Sequence, residues 1–350
     1  MVQRFLTQED VFRDGVGAQV QRCIAALVFA RRWGLAYVHT PLSTLAHGED
    51  AAFWERKLPL SRAALCLVHD CHRDLEVRLG PDSDVVDSIQ REYEGASSVL
   101  FVCDSLSLLA YIERGAFDAP PKHFDALFVG QALWTPTAVE TFARRLEGFA
   151  PLPEFAFTCR RLRDLYEPGP PSAGERCSSG GAVVVAHVRA GDIDGQRCRL
   201  LHAGYYAAVL GRTHAALEGA CELHIVTDGA RATFEGAFAF DEGGAEEAGV
   251  SGADGCVLPS LGALSSDPSV RVRFHGRGSE PLEASFDRMV RADVLVLARS
   301  SLSFVAGVLN ERCKLYTPFW HAPAERTWLT VAEDGSFDAE KLSRNLRSTA

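Results

Sequence analysis

The sequence predicts an α/β protein of two domains, each built on a mostly parallel sheet. Three observations carry that expectation. Short runs of β-branched and aliphatic residues alternate with stretches whose apolar positions recur at helical spacing, the strand–helix rhythm of a parallel sheet. The rhythm breaks in "YEPGPPSAGERCSSGG" (Tyr166 to Gly181), dense in Pro, Gly and Ser, and then restarts. A chain of 350 residues also exceeds the size at which one core usually stops growing. The expected organisation is an N-terminal domain over 1–165, a linker over 166–181 and a C-terminal domain over 182–350, with a site in the cleft between the two.

Taken in order, "GAQVQRCIAALVFARRWG" carries apolar residues at helical spacing and stops at Gly34, and "LAYVHTP" follows as a short strand. "AALCLVHD", "SSVLFVCD" and "ALFVG" are further strand candidates, and "DSDVVDSIQREYEG" reads as helical. Past the linker come strand "AVVVAHV", helix "AGYYAAVLGRTHAAL", strand "ELHIVTD", strand "VRVRFHG", helix "PLEASFDRMVRA", strand "DVLVLAR", helix "SLSFVAGVLN" and strand "CKLYTP". The polar, glycine-rich stretch between Asp241 and Cys256 reads as a surface loop.

With 47% hydrophobic and 23% charged residues the composition is that of an ordinary soluble globular protein. The formal net charge of −10 argues against a general nucleic-acid or anionic-membrane binder, which needs a dominant basic surface. No apolar run approaches the roughly 20 residues that span a bilayer, and the N-terminus lacks an apolar signal core. As written the chain reads as soluble, either cytoplasmic or the luminal catalytic part of a secretory-pathway enzyme. Its ten cysteines form no C-x-x-C pair and no Cys/His ligand spacing, so they read as small core residues or free thiols, and no metal site is expected.

The residues that ask for chemistry stand at strand ends. "AVVVAHVRAGD" is an apolar run that finishes in His187, Arg189 and Asp192. "HIVTDG" finishes in Thr227, Asp228 and Gly229, and "DVLVLARSSLSFVAG" places Ser300, Ser301 and Ser303 where a helix begins. Ligands of open α/β sheets bind outside the carboxyl ends of the strands, and free N–H groups at a helix start suit a phosphate oxygen. Capping needs one serine, which leaves the other hydroxyls for a ligand. Arginine's planar fork fits a diphosphate bidentately, although Arg189 paired with Asp192 would also close a turn. In the first half, "DGVGAQVQR" places Gly15 and Gly17 before a helix, a weak match to a dinucleotide fingerprint with no convincing strand ahead of it, and Gln19 follows as a donor. His39, Thr40 and Pro41 read as the loop that ends a strand.

A glycine-rich "GVGAQ" opening a helix, "HVRAGD" after a strand in the second half, and "ADVLVLARSSLSFVAGVLN" late in the chain resemble, in that order and over about three hundred residues, the superfamily of GDP-fucose-dependent fucosyltransferases: the α-1,2 and α-1,6 enzymes and the protein O-fucosyltransferases. The resemblance implies the GT-B architecture of two Rossmann-like domains facing a central cleft, the N-terminal one on the acceptor side and the C-terminal one binding the nucleotide sugar. It further implies Arg189 on the GDP diphosphate with His187 beside it, Asp287 near the nucleotide, Ser301 and Ser303 on phosphate oxygens, and Gly15, Gly17 and Gln19 reaching over from the first domain. Ala18 stands where the family usually has Asn, and "TDG" replaces its usual two-acid or Ser-Asp ending at Asp228.

The function expected is an inverting, metal-independent glycosyltransferase that passes fucose from GDP-fucose to a glycan hydroxyl, with no cofactor beyond that donor substrate. Asp192 and Asp194 are both candidates for the base. A binding protein that keeps the cleft but does not turn over would carry much of the same pattern.

Overall fold

The computed structural model describes residues 2–9, 14–46, 49–79, 85–103, 153–169, 181–189, 200–217, 219–229, 250–251, 257–258, 264, 267–276, 279–317 and 328–349. These fall into two compact units, and the chain passes from the first to the second between Glu167 and Pro168. The strand candidate "ALFVG", most of the expected linker and most of the stretch from Asp241 to Cys256 lie outside the described residues. Within that last stretch, Val250–Ser251 pairs antiparallel with Val257–Leu258 instead of forming only loop.

In the first unit the elements run β1 (Gln3–Gln8), α1 (Val16–Arg32), β2 (Ala36–His39), α2 (Ala51–Lys57), α3 (Leu60–Ala63), β3 (Cys66–Leu67), β4 (Leu75–Leu79), α4 (Val85–Gln90), β5 (Ser98–Cys103) and α5 (Pro153–Leu165). The strands pair in parallel in the order β3-β2-β1-β5-β4. The strand that sequence reasoning failed to find ahead of "GVGAQ" is the central one. "QRFLTQ" offers only Phe5 and Leu6 as apolar signals, and its remaining inner positions are polar: Thr7 Oγ1 meets Thr40 Oγ1 at 2.8 Å, and Gln8 Nε2 donates to Cys23 Sγ at 3.0 Å while its Oε1 has no partner among the described residues. α1 is buried along most of its length and stops as its glycine foretells. Gly34 takes φ +65°, so that Leu35 N–H reaches Ala30 O at 2.8 Å and Gly34 N–H reaches Arg31 O at 3.3 Å, the double bond of a Schellman cap.

The second unit holds β6 (Ala182–Val188), α6 (Ala203–Leu217), β7 (Cys221–Thr227), the short pair β8 (Val250–Ser251) and β9 (Val257–Leu258), β10 (Val270–His275), α7 (Leu282–Arg291), β11 (Val294–Val296), α8 (Ser301–Leu309), β12 (Cys313–Tyr316), β13 (Trp328–Thr330) and α9 (Ala339–Thr349). Its six-stranded sheet is parallel throughout, in the order β10-β7-β6-β11-β12-β13. Counted from β6 along the chain this is 3-2-1-4-5-6, the doubly wound Rossmann order, with its reversal between β6 and β11. Val184, Ala186 and Val188 of β6 enter a core with Tyr205 and Tyr206 of α6 and Leu342 of α9. The alternate residues, Val185 and His187, face the side on which α7 packs against β6. No helix among the described residues is long and apolar enough to cross a membrane.

His39, read as the start of a loop, is a buried structural ion pair instead. Its Nε2 lies 2.8 Å from Glu55 Oε1 and its Nδ1 lies 3.2 Å from Tyr37 Oη, while Glu55 Oε2 accepts from Leu42 N–H at 3.0 Å. Burial works against the charged ring, but the Cys23 sulfur and the Glu55 carboxylate outweigh it and raise the pKa to about 9. A raised folded-state pKa contributes stability that is complete below the unfolded value and lost as pH rises through the folded one. The wild-type chain should therefore lose a few kcal/mol relative to His39→Gln between about pH 6.5 and pH 9. Urea unfolding at stepped pH measures it; a difference constant across that window would show that His39 is not charged.

Candidate functional site

The register of the second sheet brings two strand ends together. Val294 pairs with Val184 and Val296 with Ala186, so the chain leaves β11 beside the point where it leaves β6. Arg189 follows β6 directly, and Nη1 of its guanidinium donates to Ser300 Oγ at 3.2 Å, 111 residues away in sequence. Ser300 is the N-cap residue of α8, extended at φ −144° and ψ 133°, and its hydroxyl makes no capping bond; that oxygen takes the arginine. The first turn of α8 contains no acidic residue. A fixed guanidinium thus stands beside a helix start whose N–H groups and dipole favour an anion.

His187, on the same face of β6, is 5% exposed, and among the described residues its Nδ1 has no hydrogen-bond partner. Burial lowers its pKa to about 4, with the Arg189 charge adding to the effect and Asp228 opposing it. The ring is therefore neutral at physiological pH. Asp228, at the end of β7, completes the group and is partly exposed. Tyr206 Oη donates to the His187 carbonyl at 3.1 Å and ties α6 to the end of β6. Asp287 is buried in α7, and α7 is fixed from its own N-terminal side: Ser285 Oγ donates to Glu280 Oε1 and Arg288 Nη2 to Glu280 Oε2, both at 2.6 Å.

Ser303 does not fit the expectation of a free hydroxyl. It is fully buried, and its single proton is shared between the carbonyls of Ala298 at 3.2 Å and Ser300 at 3.1 Å. That hydroxyl braces the strand-to-helix turn. Ser301, 8% exposed, is the first residue of α8 and stands at the open end of the helix. Sequence reasoning passed over Arg299. Its guanidinium, 7% exposed and next to Ser300, is held by Glu333 Oε1 at 2.8 Å. A buried arginine inside an otherwise apolar "VLVLAR" run was the available signal.

Gly15, Gly17 and Gln19 belong to the first unit, where the start of α1 is already occupied. Val16 N–H donates to Glu49 Oε2 at 2.9 Å and Gly15 N–H to Asp14 Oδ1 at 2.8 Å. Gln19, 3% exposed, gives its amide hydrogens to the carbonyls of Thr44 at 2.7 Å and Asp14 at 3.2 Å, so none is left to donate elsewhere. Asp192 and Asp194 lie outside the described residues.

No family model matches the chain. No curated protein matches it either. Among solved structures it is similar to a mutant of FUT1 from Arabidopsis thaliana in complex with GDP, at 10% identity over 89% of this chain and 70% of that one with a TM-score of 0.38. It is similar to the fucosyltransferase NodZ from Bradyrhizobium, at 12% identity over 88% and 94% with a TM-score of 0.35. The heptosyltransferase WaaC of E. coli, with ADP-2-deoxy-2-fluoro heptose, matches at 12% identity over 99% and 100% with a TM-score of 0.35.

Two serines two residues apart should behave differently. Ser303→Ala removes the donor from two buried carbonyls and should cost about 1 kcal/mol of stability. Ser301→Ala should change stability by less than about 0.5 kcal/mol. Equal, negligible losses in chemical denaturation would return the Ser303 hydroxyl to the pool of ligand contacts.

Proposed function

We propose that the protein is a glycosyltransferase that binds a nucleotide sugar by its diphosphate where β6 and β11 end, and that its donor is GDP-fucose. The observation that carries this reading is the joint presence, at the reversal point of a doubly wound sheet, of the Arg189 guanidinium and an α8 N-terminus that no carboxylate of its own first turn neutralises. The order of the motifs in the sequence, which resembles that of GDP-fucose-dependent enzymes, favours GDP-fucose among nucleotide sugars.

In this reading the acceptor hydroxyl attacks the anomeric carbon from the face opposite the diphosphate, which inverts the configuration. The bond from that carbon to the phosphate oxygen breaks and its electron pair stays on the departing GDP. The growing negative charge meets Arg189 and the α8 N–H groups, which therefore stabilise the transition state more than the ground state. His187, neutral, adds no third positive charge beside Arg189 and Arg299. Asp192 or Asp194, three and five residues past Arg189, takes the acceptor proton. With charge neutralised this way, turnover needs no divalent ion and should survive EDTA.

Arg189→Lys keeps the charge and loses the planar fork. Turnover with GDP-fucose and a glycan acceptor should fall on the order of 10²–10³-fold, and GDP affinity, read by calorimetry against UDP and ADP as controls, should fall by less. A variant that turns over normally but melts early would make Arg189 a turn-closing residue and end this reading.

A further inference from the structure

The first unit carries a second concave site, at the opposite edge of its sheet from the carboxyl ends of its strands. Leu27, Ala30 and Arg31 near the end of α1, Leu35 and Tyr37 at the entry to β2, Ala63 at the end of α3, and Phe157, Thr158 and Arg161 of α5 enclose about 320 Å³. That volume lies at the lower end of small-ligand pockets, roughly 300–1,000 Å³. Its floor is apolar: Leu35 and Tyr37 are buried, while Phe157 stays 39% exposed at the rim.

The charges at the rim are unbalanced. Arg32, next to Arg31, is taken by Glu154 at 3.3 Å, and Arg62, next to Ala63, by Glu167 at 2.8 Å. Arg31 and Arg161, the two guanidiniums that line it, have no hydrogen bond and no ion pair among the described residues. Arg31 is nonetheless held in place, because its guanidinium lies 3.3 Å above the centre of the Phe157 ring. A guanidinium stacked on an aromatic face keeps its N–H edge free for an oxyanion and loses little further freedom when one binds. In a chain of net charge −10, two arginines over an apolar floor make a local positive site that favours an anion.

We infer that this groove binds a compact anion with an apolar face, and that its occupant is a sugar carrying a carboxylate or a sulfate ester. The C–H face of a pyranose ring matches the floor of Tyr37, Leu35 and Leu27, and the oxyanion reaches the fork of Arg31 and the charge of Arg161. The inference rests on the first unit alone and does not depend on the site at β6 and β11.

Calorimetric titration of the full chain with methyl glucuronide, with methyl glucoside 6-sulfate, with neutral methyl glucoside and with inorganic sulfate tests it. At least one charged glycoside should saturate, at least about tenfold more tightly than either the neutral glycoside or sulfate alone. Which of the two saturates identifies the oxyanion. The double variant Arg31→Gln/Arg161→Gln should abolish that binding while its melting temperature and its GDP titration stay those of the wild type, and Phe157→Ala should weaken it by freeing Arg31. Lack of saturation by both charged glycosides, equal binding of the neutral one or of bare sulfate, or full binding by the double variant would each overturn the proposal. Loss of GDP binding with the groove intact would count against the diphosphate site and leave this one standing.

Discussion

The second unit depends on one topological constraint: its parallel sheet reverses its winding between β6 and β11. Every strand to one side of that line is built by successive crossovers in one direction and every strand to the other side in the opposite direction. The connections leaving β6 and β11 therefore part to opposite faces and open a crevice at the carboxyl ends. The register Val296 to Ala186 sets which residues border the ends of the two strands. Arg189 and Ser300 meet because of that register, not because of any local sequence preference.

The two halves of the chain use helix starts in contrasting ways. α1 begins against carboxylates of its own unit, Asp14 and Glu49, and Arg22 closes the arrangement through a 2.9 Å ion pair to Asp14. Its dipole is met internally, as suits a helix whose task is to cover a sheet. α8 begins with serines, has no acid in its first turn, and faces a guanidinium. A helix start with no acid in its first turn keeps the positive end of its dipole unneutralised by its own residues. Arg299 and Glu333 brace the turn from the other flank, and Ser303 braces it from below.

Much of this was legible in the sequence, for identifiable reasons. The inner strands of the second sheet, β6, β7 and β11, are mostly buried and rich in aliphatic residues, and "AVVVAHV" and the helix "AGYYAAVLGRTHAAL" match β6 and α6 residue for residue. Gly34 ended α1 where its freedom from a Cβ allowed. β1 was invisible because two of its four buried positions are the polar Thr7 and Gln8, which break the apolar run that marks a central strand. Ser303 and Gln19 were misjudged for a common reason: residue type says that a side chain can donate, and only the fold says that a nearby carbonyl has already claimed the hydrogen. His39 shows the reverse, a residue dismissed as loop whose partner Glu55 lies 16 residues away and is brought to it by α2.

The most direct test of the account is to see where a nucleoside diphosphate sits. In a crystal of the protein grown or soaked with GDP, the account predicts diphosphate density between the Arg189 guanidinium and the first N–H groups of α8, with Arg189 released from Ser300 or sharing it. Diphosphate bound away from the ends of β6 and β11, or a crystal in which saturating GDP leaves that crevice unchanged, would contradict it.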